Sequence, residues 1–120
     1  MHEASIALGL VEAVSEEAVR LKVERVVAVH VRIGALSGVV KDALLFAWDV
    51  AATGSRAEGS RLVIEEVPLV IFCARCKAEQ VVEGNPVLQC PSCGYPAGEI
   101  RRGRELDLIG MEVPDGSPLC

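Results

Sequence analysis

Two short cysteine pairs, Cys73-Ala-Arg-Cys76 and Cys90-Pro-Ser-Cys93, stand thirteen residues apart in a chain of 120. Two residues between thiols let one tight turn present both sulfurs to a single ion, and two such turns complete a tetrahedron. The surrounding segment, Cys73 to about Arg102, has too few large apolar side chains for a core of its own and needs a staple. In a reducing compartment that staple is a metal rather than a pair of disulfides. Four thiolates fill the coordination sphere, so the ion is closed to substrate, structural, and without an open position for an activated water.

Gly94 follows the second pair, where a residue with positive φ is often required. The thirteen-residue spacer has room for two short strands and a turn at Gly84-Asn85-Pro86. Zinc is the expected ion. Iron is the rival, because Cys-Pro-Ser-Cys-Gly-Tyr also resembles a rubredoxin knuckle and spacing does not separate two tetrahedral tetrathiolate ions.

The rest of the chain carries patterns of regular structure. Ala7, Leu10, Val11, Val14, Ala18 and Leu21 fall at steps of three and four, which predicts a helix beginning almost at the first residue, with Glu16 and Arg20 as an i, i+4 pair. Val23 to Ile33 alternates as a half-buried strand, with His30 on its polar side as a solvated or hydrogen-bonded residue. Ser37 or Gly38 is positioned to cap a second helix whose stripe is Val40, Ala43, Leu44, Ala47, Trp48 and Ala51, ending at Gly54. A second strand is expected from about Leu62 to Phe72, with Pro68 pointing to an edge or bulge. A third is expected from Arg104 to Val113, and Pro114 to Cys120 reads as a loose tail ending in a free thiol. The expectation is an α+β fold: two helices packed on a three-stranded sheet, with an inserted zinc-ribbon-like module. Residues 1–72 and 103–120 would form one domain and residues 73–102 the other.

Composition excludes some functions. A formal charge of −5 and 3% aromatic residues give little basic surface or stacking platform for nucleic acid. No apolar run approaches the roughly 18 to 20 residues that cross a bilayer, and the N-terminus lacks a basic region leading into an apolar one, so a cytoplasmic protein is expected. No constellation of nucleophile, base and oxyanion donors appears, nor a phosphate-binding loop, so no enzyme is expected.

Met1-His2-Glu3 acquires meaning from its donor atoms. The α-amine, the backbone nitrogen of His2 and its Nδ1 form fused small chelate rings that favour a plane, with the nitrogen of Glu3 as a fourth donor. Planar nitrogen coordination suits Ni(II) or Cu(II). The bland alternative is a frayed terminal histidine followed by a glutamate that complements the helix dipole.

Taken together, the chain resembles the HypA/HybF family of hydrogenase maturation nickel metallochaperones over nearly its whole length. The resemblance rests on Met1-His2-Glu3, Gly34-Ala-Leu-Ser-Gly-Val39, Leu45-Phe-Ala-Trp-Asp49, Glu58-Gly59 before Leu62, the paired cysteine motifs and Gly103-Arg-Glu-Leu106. It implies a nickel-binding α/β domain with a zinc ribbon inserted before its last strand. It also implies that nickel is bound by His2 with the Met1 amine and neighbouring backbone nitrogens, that Glu3 shapes this site, and that Cys73, Cys76, Cys90 and Cys93 hold structural zinc. The implied recipient is the large subunit of NiFe hydrogenase, with the GTPase HypB as partner and urease maturation as a further client in some members. The chain departs from some relatives in having no histidine within or beside the zinc segment, and Trp48 and Asp49 stand where many have Phe and Glu. The competing readings are a zinc-ribbon scaffold that binds partners without carrying metal, and a rubredoxin-like electron carrier.

Overall fold

The computed structural model describes residues 2–114 and the backbone of residues 118–119. Ala7, Val11, Val14 and Ala18 are all buried, so the first helix, α1 (Glu3–Arg20), turns the expected stripe inward. Its end is set by backbone geometry. Lys22 adopts φ 60°, its N–H bonds to the carbonyl of Val19 at 3.1 Å, and the N–H of Val23 bonds to that of Ala18 at 2.8 Å. This double closure, usually made by glycine, reverses the chain after Leu21. Leu21 therefore caps the helix and stays exposed instead of extending the stripe. Arg20 pairs with Glu17 rather than Glu16, since i−3 is as near on a helix as i−4.

The first strand, β1 (Ala28–Gly34), is shorter than expected. The preceding residues bond outside a regular ladder, with the N–H of Val26 on the Arg56 carbonyl at 2.9 Å and the Arg56 guanidinium on the Val23 carbonyl at 3.0 Å. The second helix, α2 (Lys41–Ala52), buries Leu44, Trp48 and Ala52 at steps of four. Each large side chain removed from water in this way contributes about 1.5–3 kcal/mol. Neither Ser37 nor Gly38 is the cap: Val40 is, and it stays exposed. The indole N–H of Trp48 donates to Ser60 Oγ at 3.1 Å, which satisfies both buried polar groups.

Pro68 has a larger consequence than an edge or bulge. With no amide proton to donate, it divides the expected second strand into β2 (Arg61–Val67) and β3 (Leu69–Cys73), and the two halves belong to different sheets. Three further strands follow, β4 (Ala78–Val82), β5 (Glu99–Arg102) and β6 (Leu106–Glu112), and a two-residue strand, β7 (Pro118–Leu119). One sheet has the order β2-β1-β6-β7 and the other β4-β3-β5. β7 adds a fourth strand to the three expected and ties part of the tail to Met111 and Glu112; Cys120 lies outside the described residues. The spacer between the cysteine pairs contains β4 and a bend at Gly84-Asn85, but only an isolated bridge, Gln89 to Pro96, instead of a second strand.

The chain divides into two compact units, Met1–Val31 with Val39–Glu65 and Asp107–Cys120, and Arg32–Gly38 with Glu66–Leu106. The second takes in residues on both sides of the 73–102 segment because β3 is the central strand of the small sheet, and because the loop after β1 bonds into its base. There the N–H of Ala35 reaches the Val67 carbonyl at 2.9 Å and that of Leu36 the Gly103 carbonyl at 2.6 Å. Leu36 packs beside a core of Leu69, Ile71, Cys73, Val82 and Cys90.

Candidate metal sites

The first cysteine pair is the tip of a hairpin. β3 and β4 run antiparallel from Leu69 opposite Val82 to Cys73 opposite Ala78, leaving Ala74 to Lys77 as the connecting loop. The N–H of Lys77 bonds to the Cys73 carbonyl at 2.7 Å, and the N–H of Cys76 to Cys73 Sγ at 3.3 Å. The second pair repeats this shape: the N–H of Gly94 bonds to the Cys90 carbonyl at 2.8 Å. Both closing residues are left-handed, Gly94 at φ 77° as expected and Lys77 at φ 55°, which carries a side chain where glycine is the easier occupant.

These two turns bring all four sulfurs within 4.8 Å of one another. Cys73 to Cys93 is 3.6 Å, Cys76 to Cys93 is 3.7 Å and Cys76 to Cys90 is 3.9 Å. A tetrahedron with metal–sulfur bonds of about 2.3 Å has edges of about 3.8 Å, which these three separations match, so the cluster fits zinc. It does not fit disulfides, whose sulfurs are about 2.05 Å apart. Cys73 and Cys90 are buried and Cys76 is exposed, so the site opens to solvent on one side.

Within the cluster, Cys76 and Cys90 are driven in opposite directions. Hydrogen bonds to the Cys93 and Cys73 thiols, with burial, push Cys76 up to about 12. At Cys90 burial opposes ionisation, but the N–H groups of Cys93 and Ser92 and the neighbouring thiols outweigh it and bring the group down to about 7. A cation that neutralises the set removes this conflict. The nearby arginines are engaged elsewhere: Arg75 lies over the Tyr95 ring at 5.0 Å, and Arg101 lies over Phe72 at 4.8 Å and pairs with Glu99 and Glu79.

At the other candidate site, His2 is the N-cap of α1, its side chain exposed and its carbonyl accepting the N–H of Ile6 at 3.1 Å. Glu3 does more than complement the helix dipole. Its Oε2 accepts the N–H of Val40, the cap residue of α2, at 3.0 Å, so the first residue of α1 is tied to the start of α2. That bond, with Glu3's own N–H, holds the carboxyl below its ordinary value. Met1 lies outside the described residues. Among those described, the cysteine cluster is the one group of three or more metal-ligating side chains. His30 is occupied, with Nε2 at 2.5 Å from Glu112 Oε2.

Sequence reasoning missed the bond between Glu3 and Val40 and the packing of Leu36 beside Cys73 and Cys90. The motif at Gly34–Val39 was the available signal for both, since it contains Leu36 and ends one residue before Val40.

A family model described as "Hydrogenase/urease nickel incorporation, metallochaperone, hypA" matches residues 1–113. The chain belongs to the HypA family. A hydrogenase maturation factor HypA from Chloroflexus aurantiacus is 48% identical over 114 residues, covering 95% of this chain and all of the relative. One from Roseiflexus sp. is 48% identical over 118 residues, covering 98% of this chain and 96% of the relative. The solution structure of the nickel metallochaperone HypA from Helicobacter pylori has the same fold, with a TM-score of 0.65, 23% identity, and coverage of 94% of this chain and 97% of that one. HypA proteins are metallochaperones for hydrogenase maturation, carrying metal rather than catalysing a reaction. No described helix is long and apolar enough to cross a membrane.

Proposed function

We propose that the chain takes up Ni(II) at its N-terminus and delivers it for maturation of NiFe hydrogenase. The donors are the α-amine of Met1, the backbone nitrogen and Nδ1 of His2, and the backbone nitrogen of Glu3, in a planar set that suits Ni(II). The observation that carries this reading is His2 at the N-cap of α1, with its imidazole exposed. Amides at a helix start have no intrahelical backbone acceptor, so losing their protons to a metal costs the helix ladder no hydrogen bond, only the contact of the Glu3 N–H with its own carboxylate. The Glu3 carboxylate, tied to Val40, supports a first turn already held in place. The amine must be deprotonated to bind, so uptake strengthens as pH rises through its ordinary range of about 7.7–8.0.

In this reading the unit bearing His2 is the nickel-binding domain and the unit bearing the cysteines is the zinc-binding domain. Zinc on Cys73, Cys76, Cys90 and Cys93 supplies a fixed cross-link between the two knuckles and neutralises the thiolates. With no phosphate-binding loop in the sequence, nucleotide-driven release belongs to a HypB-like GTPase. The hydrogenase large subunit is the recipient in the cytoplasm, and urease maturation proteins are further partners.

A nickel titration of zinc-loaded, tag-free protein beside His2→Ala tests the proposal. Wild type should bind one nickel per chain and the variant none, with zinc unchanged in both. Equal binding by the two proteins would remove His2 as the carrier ligand and favour the scaffold reading.

A further inference from the structure

Beside Glu3, the two helices leave an apolar groove of about 470 Å³ that nothing in the chain covers among the described residues. Ala4 and Leu8 of α1 form one wall, one turn apart, and Phe46, Ala47 and Val50 of α2 form the other. Phe46 is 75% exposed, Val50 64% and Leu8 54%. Together they make a contiguous exposed apolar patch, the kind of surface that marks an interaction site. The α2 wall from Ala43 to Ala51 is about 12 Å long, which matches two to three turns of a third helix seated between two.

Charge around the groove selects the occupant. Asp42 and Asp49 lie four residues before and three after Phe46, on the flank of α2 beyond it rather than in the groove lining, and both are exposed; Asp49 also lines a second depression with Lys41 and Arg61. Glu12 lies one turn beyond Leu8 and is exposed, while the Glu3 carboxylate, fixed by Val40, lines the groove's end. No lysine or arginine lines it. We infer that this groove docks a basic amphipathic helix of a partner protein, with apolar residues on Phe46, Val50 and Leu8 and Lys or Arg facing Asp42, Asp49 and Glu12. A helix seated there lies against the first turn of α1, the turn that begins with His2. Only its role in metal hand-over rests on the nickel reading; docking itself is measured without nickel.

The test is a fluorescence-anisotropy titration of the zinc-loaded full chain with a labelled helical peptide of about fourteen residues, leucine on one face and lysine on the other. A leucine–glutamate peptide of the same pattern serves as its control. The leucine–lysine peptide should bind and the control should not. Phe46→Asn should weaken binding by about tenfold or more, and Asp42→Asn with Asp49→Asn should weaken it and flatten its salt dependence. Val19→Asn, at an exposed α1 position outside the groove lining, should change neither. Equal binding of both peptides, or indifference to Phe46→Asn at unchanged helix content, would overturn the inference. So would wild-type self-association that Phe46→Asn abolishes, because the occupant would then be a second copy of this chain.

Discussion

At Gly34 a single methyl group has nowhere to go. A Cβ there would lie 2.2 Å from both the carbonyl carbon and the oxygen of Gly103, and backbone atoms cannot swing aside as the end of a side chain can. The crossing is further fixed because the N–H of Gly34 bonds to the Glu105 carbonyl at 2.7 Å, while the N–H of Gly103 bonds to Glu105 Oε1 at 2.8 Å. Gly34→Ala should therefore destabilise the zinc-loaded protein by at least about 2 kcal/mol, read as a lowered denaturant midpoint. An unchanged midpoint would mean that the crossing yields. Gly34 to Leu36 and Gly103 to Glu105, far apart in sequence, are the two sides of this one crossing.

At the scale of elements, what could be read in advance was whatever depends on near neighbours. The buried face of α1 follows from spacing alone, and so do the two cysteine knuckles, because each is closed by a hydrogen bond four residues long. What escaped depends on distant partners. Pro68 signalled a broken ladder, but that its two sides join different sheets is decided by what lies beside them. The acceptor for the N–H of Val40, the α2 cap residue, is Glu3, 37 residues earlier, so no local motif announced it. The knuckles also make a prediction. Metal binding displaces thiol protons, and Cys90, lowered to about 7, has lost its own by mildly alkaline pH. Proton release per zinc should fall by about one between roughly pH 6 and pH 8, as buffer-dependent calorimetry would detect. A release that does not change with pH would contradict the assigned Cys90 ionisation.

For the whole molecule, the division into two compact units puts the cysteine cluster in one and α1 and α2 in the other. The cysteine-bearing unit has a small core in which Cys73 and Cys90 are themselves buried members, so removing one ligand damages both coordination and packing. Cys73→Ser or Cys90→Ser should abolish zinc binding and loosen β3, β4 and β5, while α1 and α2 retain their far-ultraviolet dichroism, since their buried residues are Ala7, Val11, Val14, Ala18, Leu44, Trp48 and Ala52. Complete loss of the helical signal would mean the units do not fold separately. The central claim is that cargo and structural metal occupy different sites in one chain. Native mass spectrometry of tag-free, zinc-loaded protein after one equivalent of nickel tests it most directly. The account predicts a species with one zinc and one nickel together; a species in which nickel has replaced zinc would contradict it.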